Sequence, residues 1–341
     1  MTTFFYDDIR VTDPLDLPTY ADVVAAASRI RGEAIRTTIK RSPALDAATG
    51  GRILLKAEIE QRTGSFKFRG ALNRMSLIPP ERRAAGVVAY SSGNHAQAVA
   101  AVAKLLGMPA CIVMPSDAPQ VKIARTRGHG AEILLYDRVR DDREEIGGRI
   151  ARERGATIVP PYEDRHIIAG QGTCGLEIVE QAREHGLVPD AVLVPCGGGG
   201  LTAGIALAVK EHFPSAEIVA VEPAGFDDTA RSLAAGERRS NAAASGSICD
   251  ALLSPTPGRL SFAINSRLVA RGIAVTDEEA LRAIGFARKE LDIAVEPGGA
   301  VALAALLTGR FDAKDRNVVA VLSGGNVDEA ILREAMLVAS S

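Results

Sequence analysis

Ala191-Val192-Leu193-Val194-Pro195-Cys196-Gly197-Gly198-Gly199-Gly200-Leu201-Thr202-Ala203 carries more of the fold than any other stretch of this chain. It reads as a buried apolar strand that passes through four glycines straight into a helix. Strand, tight turn, helix is the repeating step of a parallel sheet covered by helices. Glycine loses more backbone entropy on folding than any other residue, so a plain turn has little use for four in succession. At the positive end of a helix, however, a run without side chains lets backbone N–H groups converge on an anion, which is what a phosphate cradle needs. The lysine and hydroxyl residue of a GxxxxGK[ST] loop are missing and GxGxxG spacing is only loosely approximated, so a phosphorylated organic cofactor suits the turn better than a nucleotide.

Outward from this turn, short β-branched or apolar runs recur at 52–56, 86–90, 110–114, 132–135, 157–159, 217–221 and 317–322, each reading as a buried strand. Alanine- and leucine-rich stretches with helical spacing lie between them, at 96–106, 144–155, 173–186 and 201–213. The alternation predicts an α/β protein with mainly parallel sheets. Four strand candidates fall within 86–162, so we expect a small inserted domain there and a large domain from 1–85 and 163–341. The stretch 227–257 has little periodicity and is too long for a plain connector; it reads as a functional loop region.

The chain has 341 residues, 47% of them apolar and 24% charged, the balance of an ordinary globular protein. Lysine plus arginine number 40 against 42 aspartate plus glutamate, so there is no electrostatic footprint for nucleic acid and a small-molecule partner is expected. Cys111, Cys174, Cys196 and Cys249 form no CxxC pair and read as reduced core residues. No HxxxH pair suggests zinc. The start lacks a leader pattern and no apolar run reaches membrane-spanning length, which makes the cytoplasm the expected location.

Three further segments carry chemistry. Thr63-Gly64-Ser65-Phe66-Lys67-Phe68-Arg69-Gly70 places a lysine between two aromatic rings. Desolvated, such an amine loses its proton and attacks a carbonyl, the way an aldehyde cofactor is held as a Schiff base; the alternative is an amphipathic turn with the amine in solvent. Ser91-Ser92-Gly93-Asn94-His95 sits between a strand and a helix, where it can bind a substrate carboxylate or simply cap the helix. Leu322-Ser323-Gly324-Gly325-Asn326 ends the last strand, and Ser323 there is a neutral hydrogen-bonding group or part of a glycine turn.

These four segments, in this order and spanning roughly 36–328, resemble the fold type II (tryptophan synthase β-like) pyridoxal-phosphate enzymes, specifically the serine/threonine dehydratase and serine racemase branch. The resemblance implies that Lys67 bears pyridoxal 5'-phosphate and takes the substrate α-proton from one face. It implies further that Phe66 packs near the ring, Asn94 bonds the phenolic oxygen, Gly197, Gly198, Gly199 and Gly200 hold the phosphate, and Ser323 faces the pyridine nitrogen. A serine there does not enforce a protonated ring, which favours elimination over amino-group transfer. Ser91, Asn94 and His95 match the loop that grips the substrate carboxylate. Ser92 matches the serine that acts as acid/base on the opposite face in serine racemases. Arg143 aligns with an arginine that reaches the site in racemase-like enzymes; as a residue in a charged stretch, it is equally a solvated helix position.

In the same family Glu222, the carbonyl of Phe226 and Asp228 match a divalent-cation loop whose hard oxygen ligands suit magnesium, manganese or calcium. Cys249-Asp250-Ala251 and Glu296-Pro297-Gly298 depart from the family's usual pattern; the resemblance implies that both border the cofactor or substrate, which loosens any inherited specificity. With the sequence ending at Ser341, a regulatory domain like that of feedback-controlled relatives is not expected. The expected activity is that of a pyridoxal-phosphate-dependent ammonia-lyase, converting serine or threonine to a 2-oxo acid and ammonia in a cytoplasmic homodimer without nucleic-acid or membrane partners. The alternatives are a 3-hydroxyaspartate dehydratase, a serine racemase and a cysteine-synthase-like β-replacement enzyme, the last separable by product analysis with and without sulfide. A non-catalytic binding module is disfavoured because Lys67, the glycines and Ser323 are all present.

Overall fold

The computed structural model describes residues 15–91, 93–118, 120–137 and 140–339. Its strands are β1 (Ile39–Lys40), β2 (Arg52–Ala57), β3 (Val87–Tyr90), β4 (Ala110–Pro115), β5 (Glu132–Tyr136), β6 (Thr157–Ile158), β7 (Ala191–Pro195), β8 (Glu217–Pro223), β9 (Arg271–Val275) and β10 (Asn317–Leu322). The helices are α1 (Tyr20–Ile30), α2 (Pro43–Thr49), α3 (Lys67–Ser76), α4 (Asn94–Leu106), α5 (Gln120–Gly128), α6 (Arg143–Arg154), α7 (Arg165–Glu184), α8 (Gly200–His212), α9 (Asp228–Ala235), α10 (Arg259–Leu268), α11 (Asp277–Leu291), α12 (Pro297–Leu307) and α13 (Glu329–Val338).

Two sheets form. The larger runs β1-β2-β10-β7-β8-β9 and the smaller β5-β4-β3-β6. All pairings are parallel except β1 with β2. Side chains alternate across the large sheet. Ile53, Leu55, Leu193, Val318 and Ala320 face α11 and α12, whereas Leu54, Val192, Val194, Val319 and Val321 face α7 and α8. Burial on both faces is why these strands read as continuous apolar runs, each large side chain contributing roughly 1.5–3 kcal/mol. Between α7 and α8 the backbones approach so closely that a Cβ on Gly204 would lie 2.5 Å from the Gly172 nitrogen.

The small sheet is also sandwiched. Val87, Ala89, Ile112 and Met114 pack against α4 and against Phe68, Leu72 and Met75 of α3, while Val88, Cys111 and Val113 pack against Ile150 and Ala151 of α6. Its core therefore draws on α3, outside 86–162. Two strands were not anticipated, β1 and the edge strand β9, and the 227–257 stretch opens with α9 rather than running as a loop throughout. All four cysteines are buried and unpaired. Among the described residues no helix is long and apolar enough to cross a membrane.

Parallel strands place their loops at one edge, where ligands bind in open α/β sheets. The lysine segment follows β2, the serine-glycine-asparagine turn β10, the tetraglycine β7, and the 91–95 segment β3. Because β10 lies between β2 and β7, the first three are brought side by side.

Candidate active site

Lys67 is the first residue of α3. The segment before it is stitched to the end of β10: Ser65 bridges Gly324, the Phe66 N–H donates to the Ser323 carbonyl at 3.2 Å, and the Gly325 N–H donates to the Gly64 carbonyl at 2.8 Å. The Lys67 Nζ donates to the Pro161 carbonyl at 2.8 Å and lies 5.0 Å from the centre of the Phe66 ring. Burial without a carboxylate partner lowers its pKa to about 8, so roughly a tenth of the amine is an unprotonated nucleophile at pH 7.

Across the pocket stands the tetraglycine turn at the start of α8. Gly199 is the N-cap, in the left-handed region at φ +87°, and no side chain caps the helix. The first N–H groups of α8 have no partner within the helix and are available to an anion. A Cβ on Gly198 would fall 2.4 Å from the Tyr162 ring, so this position admits no side chain. Ser323, 4% exposed, lines the same pocket.

The 91–95 segment supplies a second uncapped helix start. Gly93 is the N-cap of α4, again without a side-chain cap, and its N–H donates to Ser91 Oγ at 3.3 Å. Neither Ser91 nor Asn94 does the ordinary capping work, which leaves the first turn of α4 open toward the pocket. Asn94 instead donates through Nδ2 to Glu296 and accepts from Asn326 Nδ2 at 2.7 Å. The His95 ring is buried against the Val159 carbonyl at 2.8 Å, and burial, then the Lys67 charge, lowers its pKa to about 3. It is neutral at physiological pH. Ser92 lies outside the described residues.

Arg143 begins α6 and lines the pocket, its guanidinium 5.8 Å from the centre of the Tyr90 ring. Several pocket residues escaped sequence reasoning. Tyr162 covers the tetraglycine, Gln171 sits beneath Gly200, and Lys122 of α5 donates to Asp250 at 2.7 Å across the pocket. No motif marks them; Tyr162 lies between β6 and α7, Gln171 within α7 and Lys122 within α5, and they meet only in the fold. Glu296, flagged only as a departure, is 6% exposed, and burial followed by the Asp250 charge raises its pKa to about 7.

Glu222 and Asp228 stand apart from this pocket. Both have no exposed surface. The Glu222 oxygens accept the Thr229 and Ala230 N–H groups at 2.9 and 2.8 Å, while Asp228 Oδ1 accepts from Asn241 at 2.7 Å and its Oδ2 is buried without a partner. Burial, then the Asp228 charge, raises Glu222 to about 8; burial raises Asp228 to about 6. Phe226, whose carbonyl belongs to the expected ligand set, is also buried. Two disfavoured buried carboxylates with an orphaned oxygen fit a hard cation. Among the described residues, however, no cluster of three or more histidine, cysteine, aspartate or glutamate residues could hold a metal.

The model of the pyridoxal-phosphate dependent enzyme family matches residues 30–324. The chain belongs to this family. It is 41% identical over 314 residues to the L-threo-3-hydroxyaspartate ammonia-lyase of Pseudomonas sp, covering 92% of this chain and 97% of that one. It is 39% identical over 318 residues to the serine racemase of Schizosaccharomyces pombe, covering 93% and 97%. Among solved structures, the T.th. threonine deaminase superposes with a TM-score of 0.85 at 41% identity, covering 91% and 99%. The fold is that of the fold type II pyridoxal-phosphate enzymes, and the pocket suits their cofactor: an amine with a lowered pKa, an uncapped anion cradle and a neutral serine share one cavity.

Proposed function

We propose that this enzyme eliminates water from β-hydroxy amino acids such as L-threonine and L-serine, releasing ammonia and a 2-oxo acid. The observation that carries the reading is that Lys67, the tetraglycine turn and Ser323 line a single pocket. Gly197 to Gly200 would hold the cofactor phosphate, Phe66 would pack near the ring, Asn94 would face the phenolic oxygen and Ser323 the ring nitrogen. The bound cofactor supplies an electron sink for the developing carbanion. The open first turn of α4, at Ser91, Asn94 and His95, would hold the substrate carboxylate. Lys67 Nζ would take the α-proton, the role its lowered pKa suits at neutral pH. Lys67→Ala is expected to abolish the release of 2-oxo acid and ammonia and the borohydride-sensitive visible absorbance of wild type; retention of either would refute the assignment.

A second reading has its own support. Arg143 over the Tyr90 ring places a cation in the pocket where a second substrate carboxylate would fit, which favours 3-hydroxyaspartate. Arg143→Ala should raise KM for hydroxyaspartate by about 10-fold to 100-fold and leave serine nearly unaffected, since a charged hydrogen bond contributes about 1.5–3 kcal/mol. Equal effects on both substrates would return Arg143 to a structural role. Ser92 is proposed as the acid/base of a racemase side activity, so Ser92→Ala should remove racemisation and spare elimination.

The proposal also includes a divalent cation at Glu222, the Phe226 carbonyl and Asp228, a small inserted domain at 86–162, and a homodimer acting in the cytoplasm. Buried carboxylates support the first and the separate four-stranded sheet the second; the homodimer rests on family likeness.

A further inference from the structure

The tetraglycine turn is gripped from outside by α10. Ser261 Oγ donates to the Gly198 carbonyl at 2.5 Å, and the Gly258 N–H donates to the same oxygen at 3.1 Å. Asn265, one turn further along the same helix face, donates through Nδ2 to the Gly199 carbonyl at 3.3 Å. Both side chains have no exposed surface. The contact is close enough that a Cβ on Gly199 would lie 2.8 Å from Asn265 Nδ2 and 3.2 Å from Ser261 Oγ. The start of α10 is itself fixed, because Glu163, next to Tyr162, accepts the Leu260 N–H at 3.0 Å.

The peptide unit is planar and trans, so its C=O and N–H point in opposite directions. Drawing the Gly198 and Gly199 carbonyls toward α10 therefore turns the N–H groups of Gly199 and Gly200 away from it. The pocket lies on that side: the four glycines line it, and none of the described α10 residues does.

We propose that Ser261 and Asn265 are positioning residues for the cofactor phosphate, orienting the Gly199 and Gly200 amides as donors before the cofactor arrives. The inference rests on the reading that the tetraglycine turn holds that phosphate. The two side chains set affinity for the phosphate end of the cofactor and leave the reactivity of Lys67 at the other end untouched.

The test is to strip the full chain of cofactor and titrate it with pyridoxal 5'-phosphate and with pyridoxal, which lacks the phosphate, following the visible absorbance of the lysine adduct. Ser261→Ala should weaken pyridoxal phosphate by about tenfold and Ser261→Ala/Asn265→Ala by more, with pyridoxal unchanged, as expected for lost buried hydrogen bonds. Ser261→Thr, which keeps the hydroxyl, should retain the parental preference. A parent that binds the two ligands equally would overturn both the phosphate cradle and the inference built on it. A parent that strongly prefers the phosphate, with variants that keep the same ratio or lose both ligands alike, would overturn the clamp alone. Should Ser261→Ala fail to fold, Asn265→Ala leaves both bonds to the Gly198 carbonyl in place and is read by the same criterion.

Discussion

Lys67 and Glu296 are two of the pocket groups whose charge folding disfavours, and they act in opposite directions with pH. The Lys67 pKa falls from 10.5 to about 8 through burial. Between those values the unfolded chain binds more protons than the folded one, so this group's contribution to stability rises with pH across the window. Its reactivity rises too. In the cofactor-free protein, the rate of adduct formation with pyridoxal should climb to a plateau with a midpoint near 8; a midpoint near 10.5 would mean an amine in solvent. For Glu296 the pKa rises from 4.5 to about 7 through burial and then the Asp250 charge, so its contribution is fully present below 4.5 and lost as pH passes through 7. Glu296→Gln keeps a carbonyl oxygen for the Asn94 amide and removes the charge. Thermal midpoints of this variant should gain on the parent at alkaline pH and match it in acid. Residues of this kind were legible where chemistry is written contiguously, as around Lys67, and illegible where it is assembled from afar. Tyr162 looks like any loop tyrosine until Gly198 lies beneath its ring.

At the scale of elements, α3 holds Lys67 in place through a buried charge network two residues further on. Arg69, 1% exposed, binds Glu58 through Nε and Nη2 at 2.7 and 2.8 Å and Glu177 of α7 through Nη1 and Nη2 at 2.6 and 2.8 Å. Lys56 of β2 completes the balance, donating to Glu177, Gln181 and the Thr37 carbonyl. Burial opposes the Arg69 charge, but Glu58 and Glu177 together hold it firmly protonated. Removing one partner strands a charge inside the protein. Arg69→Ala should therefore cost about 3–5 kcal/mol in denaturant unfolding, and Arg69→Ala/Glu58→Ala markedly less than the sum of the single losses. Strict additivity would show that the groups do not act as a unit. The doubly covered strands β2, β7 and β10 were readable because burial on both faces leaves continuous apolar runs. β1 has only two residues, and β9 opens on an arginine and a glycine at a sheet edge, so neither carries that signature. The helix α7 begins eight residues before its predicted start at 173, because Gly170 and Gly172 break the helical pattern in sequence while permitting close packing in the fold.

For the molecule as a whole, sequence order fixes which loops carry chemistry but not which strands are neighbours. The insertion of β10 between β2 and β7 makes one site of motifs scattered over 67–323, and parallel crossovers of that span leave no local trace. The proposed cation site belongs to this scale, since it joins the end of β8 to α9, whose start is held by Glu222. In the absence of a cation, Glu222 and Asp228 hold pKa values of about 8 and 6, above their ordinary 4.5 and 3.8, so the stability they lend is lost as pH rises through that range. A cation binding the ionised pair would restore it. Magnesium at about 100 times its dissociation constant should stabilise the fold by about 2.7 kcal/mol. The response to magnesium in thermal unfolding should accordingly be larger at about pH 8.5 than at about pH 5.5, and a chelator should reverse it. Asp228→Asn should abolish the response while leaving the cation-free protein no less stable, because the substitution relieves the repulsion that the cation would otherwise neutralise. Midpoints indifferent to magnesium, manganese, calcium and chelator alike would leave Glu222 as nothing more than the cap of α9.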